Sequence, residues 1–407
     1  MVSGVLVAAL SLRGPIVAPT PVLTEIEHDL DIGAAAAGLL TTAPVLMFAL
    51  LTPLAALVIR RAGAELALLL SLSGVLVGTF VRALPGFGWM LAGMFVIGAS
   101  VTIGNVVIPV IIRRDVPPPR VGLVTAAYAA TLNAGSLLTS LLTAPLAEVI
   151  GWQLALLVWS GITVAGVVLW SIHLRRSRAL DEDRFSGETR HGEGAPVDLD
   201  PATVTGPLPV IAGRSSRSIF ARPVTWLLLA AFGGQTTIYY ALSTWLPTIA
   251  ADELGTDATT SGALASLYQG VGILGAFLIP VLTRFTPRIV PAIVICASWL
   301  VLTTGLLVAP ELLWLWVSIG AIGHAGGFVV IFTALVAVAR SDAEAAGMSA
   351  LVQGGGYAVG ALGPPLLGAL HESTGGWTTG LVVLLVLSIV YCGVLFAALA
   401  ASRRATA

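Results

Sequence analysis

The chain has 407 residues, of which 57% are hydrophobic and only 10% charged, with a net charge of −1 and a mean hydropathy of +0.96. Soluble domains carry about 25% charged residues, so a soluble enzyme or a nucleic-acid binder is excluded and an integral membrane protein is indicated. All twenty basic residues are Arg, which reads as coding bias rather than chemistry. The two cysteines, Cys296 and Cys392, fall in apolar stretches and suggest neither a disulfide framework nor a metal site.

A bilayer core needs about 20 apolar residues per helical span. Twelve such stretches are predicted, in chain order 2–23, 36–59, 65–84, 88–112, 122–146 and 152–174, then 223–249, 258–281, 288–308, 311–338, 346–369 and 376–400. The first runs straight into a Pro-rich, acidic segment without a small-residue cleavage pattern, so it reads as a retained helix. Between spans six and seven lies a polar segment of mixed charge, 176–221, expected to be a solvated, disordered linker on the cytoplasmic side. It divides the chain into an N-terminal six-helix bundle, 1–175, and a C-terminal one, 222–407.

Loop charges are segregated. Arg60, Arg61, Arg113, Arg114, Arg120, Arg284, Arg288, Arg340, Arg403 and Arg404 fall on one side with the linker. Glu25, Glu27, Asp29, Asp31, Glu148, Asp252, Glu253, Asp257, Glu311 and Glu372 fall on the other. The positive-inside rule places both termini in the cytoplasm and the chain in the cytoplasmic (inner) membrane as a multi-pass protein. The two halves echo each other. Tyr128, Asn133, Gly135, Pro145 and Gly151-Trp152 have counterparts in Tyr357, Gly360, Gly363-Pro364 and Gly376-Trp377. Repeated halves of this kind place a binding site at their interface, near the midplane.

Twelve spans, a six-plus-six division and a long central loop resemble the major facilitator superfamily. The loop Ala56 to Gly63 resembles that superfamily's signature Gly-x-x-x-Asp-Arg-x-Gly-Arg-Arg, departing from it at Ala56, Arg60, Ala64 and Glu65. Because Arg60 stands where Asp is usual, the Asp's gating salt bridge cannot be carried over. Other segments narrow the resemblance to the cyanate and 2-nitroimidazole transporter branch. They are Leu12 to Val17, Gly38 to Val45, and the run Gly104-Asn105, Pro109, Arg113-Arg114-Asp115, with Tyr128 and Asn133 in span five. Phe232, Gln235, Tyr239, Tyr240, Trp245 and Pro247 in span seven complete the set. The resemblance implies an all-α integral membrane fold of twelve transmembrane helices in two pseudo-symmetric six-helix bundles, the major facilitator fold. It also implies secondary transport of a small solute.

Arg13, in the middle of span one, is the first candidate site residue. A guanidinium at the hydrocarbon centre costs about 2.5–3.5 kcal/mol on insertion scales, and Arg does not lose its proton there. A counter-charge for an anionic or strongly dipolar substrate is the functional reading; bonding to backbone carbonyls or an amide is the architectural one. Asn105, four residues before Pro109, is poised either to bind substrate or to satisfy a carbonyl freed by the proline. Gln235 and Tyr239 share a face, with Tyr240 expected to turn away, and offer donors and acceptors beside an aromatic wall. His324, the histidine deepest in a span, suits a proton relay or a plain interhelical bond. Gln353 and Tyr128 are expected to line the substrate site, and Tyr357, Tyr268 and Gln269 are further candidates. Arg82 is expected to be structural, snorkelling at the end of span three, and Trp245 to anchor at the interface.

No Asp or Glu lies near the middle of any span. Coupling through a buried carboxylate is therefore not expected, and any coupled proton would use His324. The function expected is a secondary active transporter for a small anion or compact polar heterocycle, working by alternating access as a monomer, with no cofactor, metal or nucleic acid. Efflux of a toxic small molecule is the alternative, and a non-transporting membrane sensor a distant one. No catalytic motif supports an enzyme: His-Glu-x-x-His, an intramembrane aspartate pair and a nucleophile elbow are all missing.

Overall fold

The structure is a computed structural model that describes residues 2–188, 219–287, 289–340 and 342–406. These fold into helices and short 3-10 turns, with no strand among the described residues. The first half comprises α1 (Val2–Val17), α2 (Leu23–Leu30), α3 (Ala34–Ala62), α4 (Ala64–Val81), α5 (Phe87–Asp115), α6 (Pro118–Ile150), α7 (Trp152–Val158) and α8 (Ser160–Glu188). The second comprises α9 (Pro223–Leu254), α10 (Ala258–Phe285), α11 (Val290–Val308), α12 (Leu313–Val338), α13 (Asp342–Gly360), α14 (Gly363–Thr374) and α15 (Thr378–Thr406). Three pairs, α1 with α2, α7 with α8 and α13 with α14, each act as one broken rod, giving twelve rods. Nine helical stretches among the described residues are long and apolar enough to cross a bilayer on length and composition alone.

The breaks follow the sequence. Pro19 and Pro21 lack the N–H groups that would continue α1, so the chain passes through a short 3-10 turn, Thr20–Val22, before resuming as α2. Pro364 and Pro365 open α14, where missing donors cost nothing. One boundary differs from expectation: α8 continues to Glu188 instead of ending near residue 175. Its added residues include Arg, Ala, Leu, Asp and Glu, several of them good helix formers that need no lipid. The linker expected over 176–221 otherwise falls largely on residues 189–218, which lie outside the described residues.

Within the first half α1 packs on α6, and α5 packs on both α3 and α4; within the second α9 packs on α13 and α15, and α12 on α10 and α11. The halves meet along two seams, α6 against α10 and α3 against α13 and α14. Matching clasps brace the rim of each half. The Trp152 indole donates to Asp29 at 2.7 Å and the Trp377 indole to Asp252 at 2.8 Å. The expected echo at Gly-Trp is thus a repeated hydrogen bond.

Candidate functional site

Between the halves lies a cavity of about 670 Å³. Arg13, Asn105, Tyr128, Gln235, Tyr239, His324 and Gln353, the seven residues nominated from sequence, all border it. Arg13 reaches it from α1 and is held by neutral groups from both halves. Its Nη1 donates to Asn133 Oδ1 at 2.9 Å and its Nη2 to the Tyr239 hydroxyl at 2.9 Å. The guanidinium carbon lies 5.3 Å from the centroid of the Tyr239 ring, a cation–π distance. Asn133 comes within reach because α1 and α6 touch at Gly135, where a Cβ would sit 2.6 Å from the Leu10 carbonyl.

Tyr239 is itself fixed from behind. The Gln269 amide lies 3.3–3.4 Å from its hydroxyl and also donates to Ser243 at 3.1 Å. Tyr268 and Gln269, offered as further lining residues, do not border the cavity; they back Tyr239 and His324 instead. The His324 ring stacks on Tyr239 with centroids 4.4 Å apart and packs against Tyr268 at 5.1 Å. Its Nε2 and the Tyr268 hydroxyl are buried without hydrogen-bond partners among the described residues.

The other candidates differ in how far they are already committed. Gln235 donates to the His324 carbonyl at 3.0 Å and accepts from Tyr391 at 3.3 Å, so its interhelical role is filled. Asn105 accepts from Tyr128 at 3.4 Å, and among the described residues its side chain makes no bond to a carbonyl freed by Pro109. Gln353 donates to Ser349 at 2.8 Å, leaving its carbonyl oxygen for the cavity. Tyr240 corrects the expectation that it turns away: the cavity curves around α9 far enough to take both tyrosines, whose rings meet edge-on at 4.9 Å. Sequence reading did not pair Arg13 with Asn133, although a buried guanidinium must find an acceptor and span five offers few.

The walls are unlike. The first half contributes Arg13, Asn105, Tyr128 and Asn133, whereas the second contributes Phe232, Tyr239, Tyr240, His324, Phe328 and Tyr357. Phe232 is the hub of the ring-rich wall, with Tyr357 at 5.2 Å and Phe328 at 6.0 Å. Such a site offers a charge from the first half, most of the aromatic rings from the second, and hydrogen-bonding groups from both, Gln235, Ser243 and Gln353 among those of the second.

At the acidic-loop end the cavity is shut. Thr41 and Thr244 hydroxyls meet at 2.7 Å, and Thr42 donates to the Ala361 carbonyl at 2.7 Å. Thr259 donates to Glu148 at 2.8 Å. Gly38 lies so close to α14 that a Cβ would sit 2.8 Å from the Pro364 backbone. Val17, Thr20, Thr41 and Thr244 are buried there, while Thr52, Asn105, Pro109 and Gln353, toward the arginine-loop end, are half-buried or exposed.

Two expectations about large side chains are corrected. Arg82 does not snorkel; it is 0% exposed, with its guanidinium donating to the Pro15 carbonyl at 2.6 Å and the Leu156 carbonyl at 3.2 Å. Both acceptors lie at helix breaks, and Pro15 has lost its usual donor because the residue four positions on is Pro19. Trp245 is likewise buried, its indole donating to the Pro364 carbonyl at 2.8 Å, and so joins α9 to α14 instead of sitting at an interface.

The family model described as Major Facilitator Superfamily matches residues 3–364. The chain belongs to that superfamily. Among its relatives, the 2-nitroimidazole transporter of Escherichia coli (strain K12) is 30% identical over 96% of this chain and 92% of its own length. The uncharacterized transporter YycB of Bacillus subtilis (strain 168) is 29% identical over 96% and 91%. The cyanate transport protein CynX of Escherichia coli (strain K12) is 24% identical over 90% and 89%. Among solved structures, a bacterial homologue of the human lysosomal transporter Spinster, in an inward-facing and unoccupied conformation, superposes with a TM-score of 0.73. It covers 99% of this chain and 97% of its own at 15% identity, so the likeness is one of fold. The protein is therefore a multi-pass membrane protein of a transporter family, with the twelve-helix fold expected. At the loop where this facilitator departs from the superfamily signature, Arg114 pairs with Glu65, and with Asp115 at 2.6 Å through Nε and 2.8 Å through Nη2. Glu65, a departure from the signature, thus provides a local carboxylate partner.

Proposed function

We propose that this facilitator is a permease for a small, flat anion, moved across the cytoplasmic membrane by alternating access, with Arg13 as the counter-charge. The observation that carries the reading is Arg13 itself: a guanidinium on the cavity wall held, among the described residues, by an amide oxygen and a phenol. Neutral partners take two of its five N–H donors and none of its charge, and an anion would supply the missing term. The ring-rich opposite wall suits a planar solute. Cyanate, named for one relative, is a small anion; 2-nitroimidazole, named for another, is a flat ring whose N–H is acidified by the nitro group.

The arginine-bearing loops support cytoplasmic termini, and in that orientation the shut end of the cavity faces outside. The same pattern supports two six-helix bundles, 1–175 and 222–407, rocking about the seams. Asn105, Tyr128, Tyr239, Gln353 and His324 are proposed to complete the substrate shell around Arg13, with Gln235 shaping it from behind. A binding screen against cyanate, 2-nitroimidazole and neutral imidazole tests the reading. Stabilisation on heating is expected from ligands that can present an anion, and to vanish in Arg13→Gln. Equal stabilisation of wild type and Arg13→Gln by the same ligand would refute it.

A further inference from the structure

The 21 acidic residues of the chain lie in loops, in the short α2, in the 176–221 segment or near the ends of other helices. None borders the cavity among the described residues, and Arg13 is the only Arg, Lys, Asp or Glu there. The empty cavity therefore holds one positive charge with no internal carboxylate to cancel it. While one end is open, water and dissolved anions screen that charge. During a rocking transition both ends must close around it for a time. An empty cavity would then enclose a guanidinium cut off from bulk water, with no counter-anion and, unlike Arg82, no backbone carbonyl among its partners, which is unfavourable. A cavity holding a monoanion would close with no net charge. The route is narrow as well: the outer seal already brings Thr41 against Thr244 at 2.7 Å, leaving little room there for bulk water.

From this imbalance we infer that the carrier is an anion exchanger: it crosses readily when loaded and slowly when empty, so each anion taken in is matched by one sent out. The inference rests on the proposal that Arg13 takes an anion, and it adds a coupling mode to it. Exchange of one monoanion for another moves no net charge. It requires no proton and no buried carboxylate.

The test uses the full chain reconstituted in liposomes, with radiolabelled cyanate outside at mildly alkaline pH. One set of vesicles is preloaded with unlabelled cyanate, the other with gluconate, which is neither small nor flat and so falls outside the proposed substrate class. Initial uptake is expected to be about tenfold or more faster into the cyanate-loaded set, the factor that a modest difference in barrier height produces. Equal rates in the two sets would overturn exchange while leaving an anion permease standing. Uptake into gluconate vesicles driven by external acid would also overturn it, pointing to proton symport through His324. No Arg13-dependent uptake in either set, with no thermal stabilisation by cyanate, would sink the anion reading itself.

A second variant probes the cause. Asn133→Asp is nearly isosteric and places a carboxylate where Oδ1 now accepts from Arg13 at 2.9 Å. The empty cavity then becomes neutral and free to reorient. Dependence on internal cyanate is expected to fall at least severalfold, with uptake now rising in external acid, which protonates the new carboxylate as the anion binds. Undiminished dependence on internal cyanate in a folded Asn133→Asp carrier would show that charge imbalance is not what couples the two fluxes.

Discussion

Two buried arginines in the first half show what a charge inside a membrane protein does and does not signify. Arg82 is the more deeply buried, yet its guanidinium faces carbonyls stranded at two helix breaks and does not border the cavity between the halves. Arg13 is less enclosed, and its partners are side chains on two different halves beside an open volume. Burial alone would rank them the wrong way round. The kind of partner separates them: backbone carbonyls cannot leave, whereas an amide and a phenol can rearrange around a guest.

The sharpest way to break this contrast is Arg13→Gln. Transport of an anion is expected to fall by about a hundredfold or more, equivalent to about 2.7 kcal/mol, with the melting temperature little changed. A flux assay beside a thermal melt on the same preparation checks both halves of that statement. Arg82→Met should do the reverse. It leaves two buried carbonyls unpaired at about 1–3 kcal/mol each, so a marked drop in melting temperature is expected. Anion affinity should stay within about threefold in whatever fraction stays folded, a change of under 1 kcal/mol. If Arg82→Met instead lost affinity without losing stability, the assignment of roles would be wrong.

A milder probe is Arg13→Lys, which keeps the charge but loses the planar fork. About tenfold weaker binding is expected, near 1.4 kcal/mol, measured by ligand-dependent melting. The smallest effect concerns a third arginine. Arg222 donates to Glu344 at 2.6 Å and to the Val338 carbonyl at 3.0 Å, at the arginine-loop end of the second half. Burial raises the Glu344 pKa, but the Arg340 backbone N–H and the Arg222 guanidinium outweigh it, and the carboxyl is held below its ordinary value. A depressed carboxylate stabilises the fold above its unfolded pKa, about 4.3. That contribution is lost as pH falls through the lower folded value. Glu344→Gln should thus flatten the acid side of a melting-temperature profile and leave the neutral side lower than wild type.

Much of the architecture was legible because membrane physics writes it in long, uniform signals. Apolar runs near 20 residues and arginines confined to alternate loops leave few topologies open. The cavity residues were legible for the opposite reason: a polar side chain inside such a run is rare enough to stand out. Pairing across helices was harder. Gln235 looked like a ligand group on its helix face, and only the packing of α12 shows its amide bonded to the His324 carbonyl. Tyr240 was misjudged because an angle around one helix says nothing of how wide the space beside it is. Arg82 was misjudged although a clue existed, since Pro15 and Pro19 stand four apart and strand a carbonyl that some donor had to reach.

The paired indole clasps have one more consequence. Asp29 and Trp152 correspond to Asp252 and Trp377, as copies of one ancestral half would. Arg13 and Tyr239 stand 226 residues apart, close to that same spacing, so they occupy nearly equivalent places in the two copies. They meet across the cavity at 2.9 Å. Two identical halves would set like residues face to face there, two repelling cations or two phenols. The charge that would hold cargo is thus a broken symmetry: one half carries the cation while the other supplies the ring it leans on.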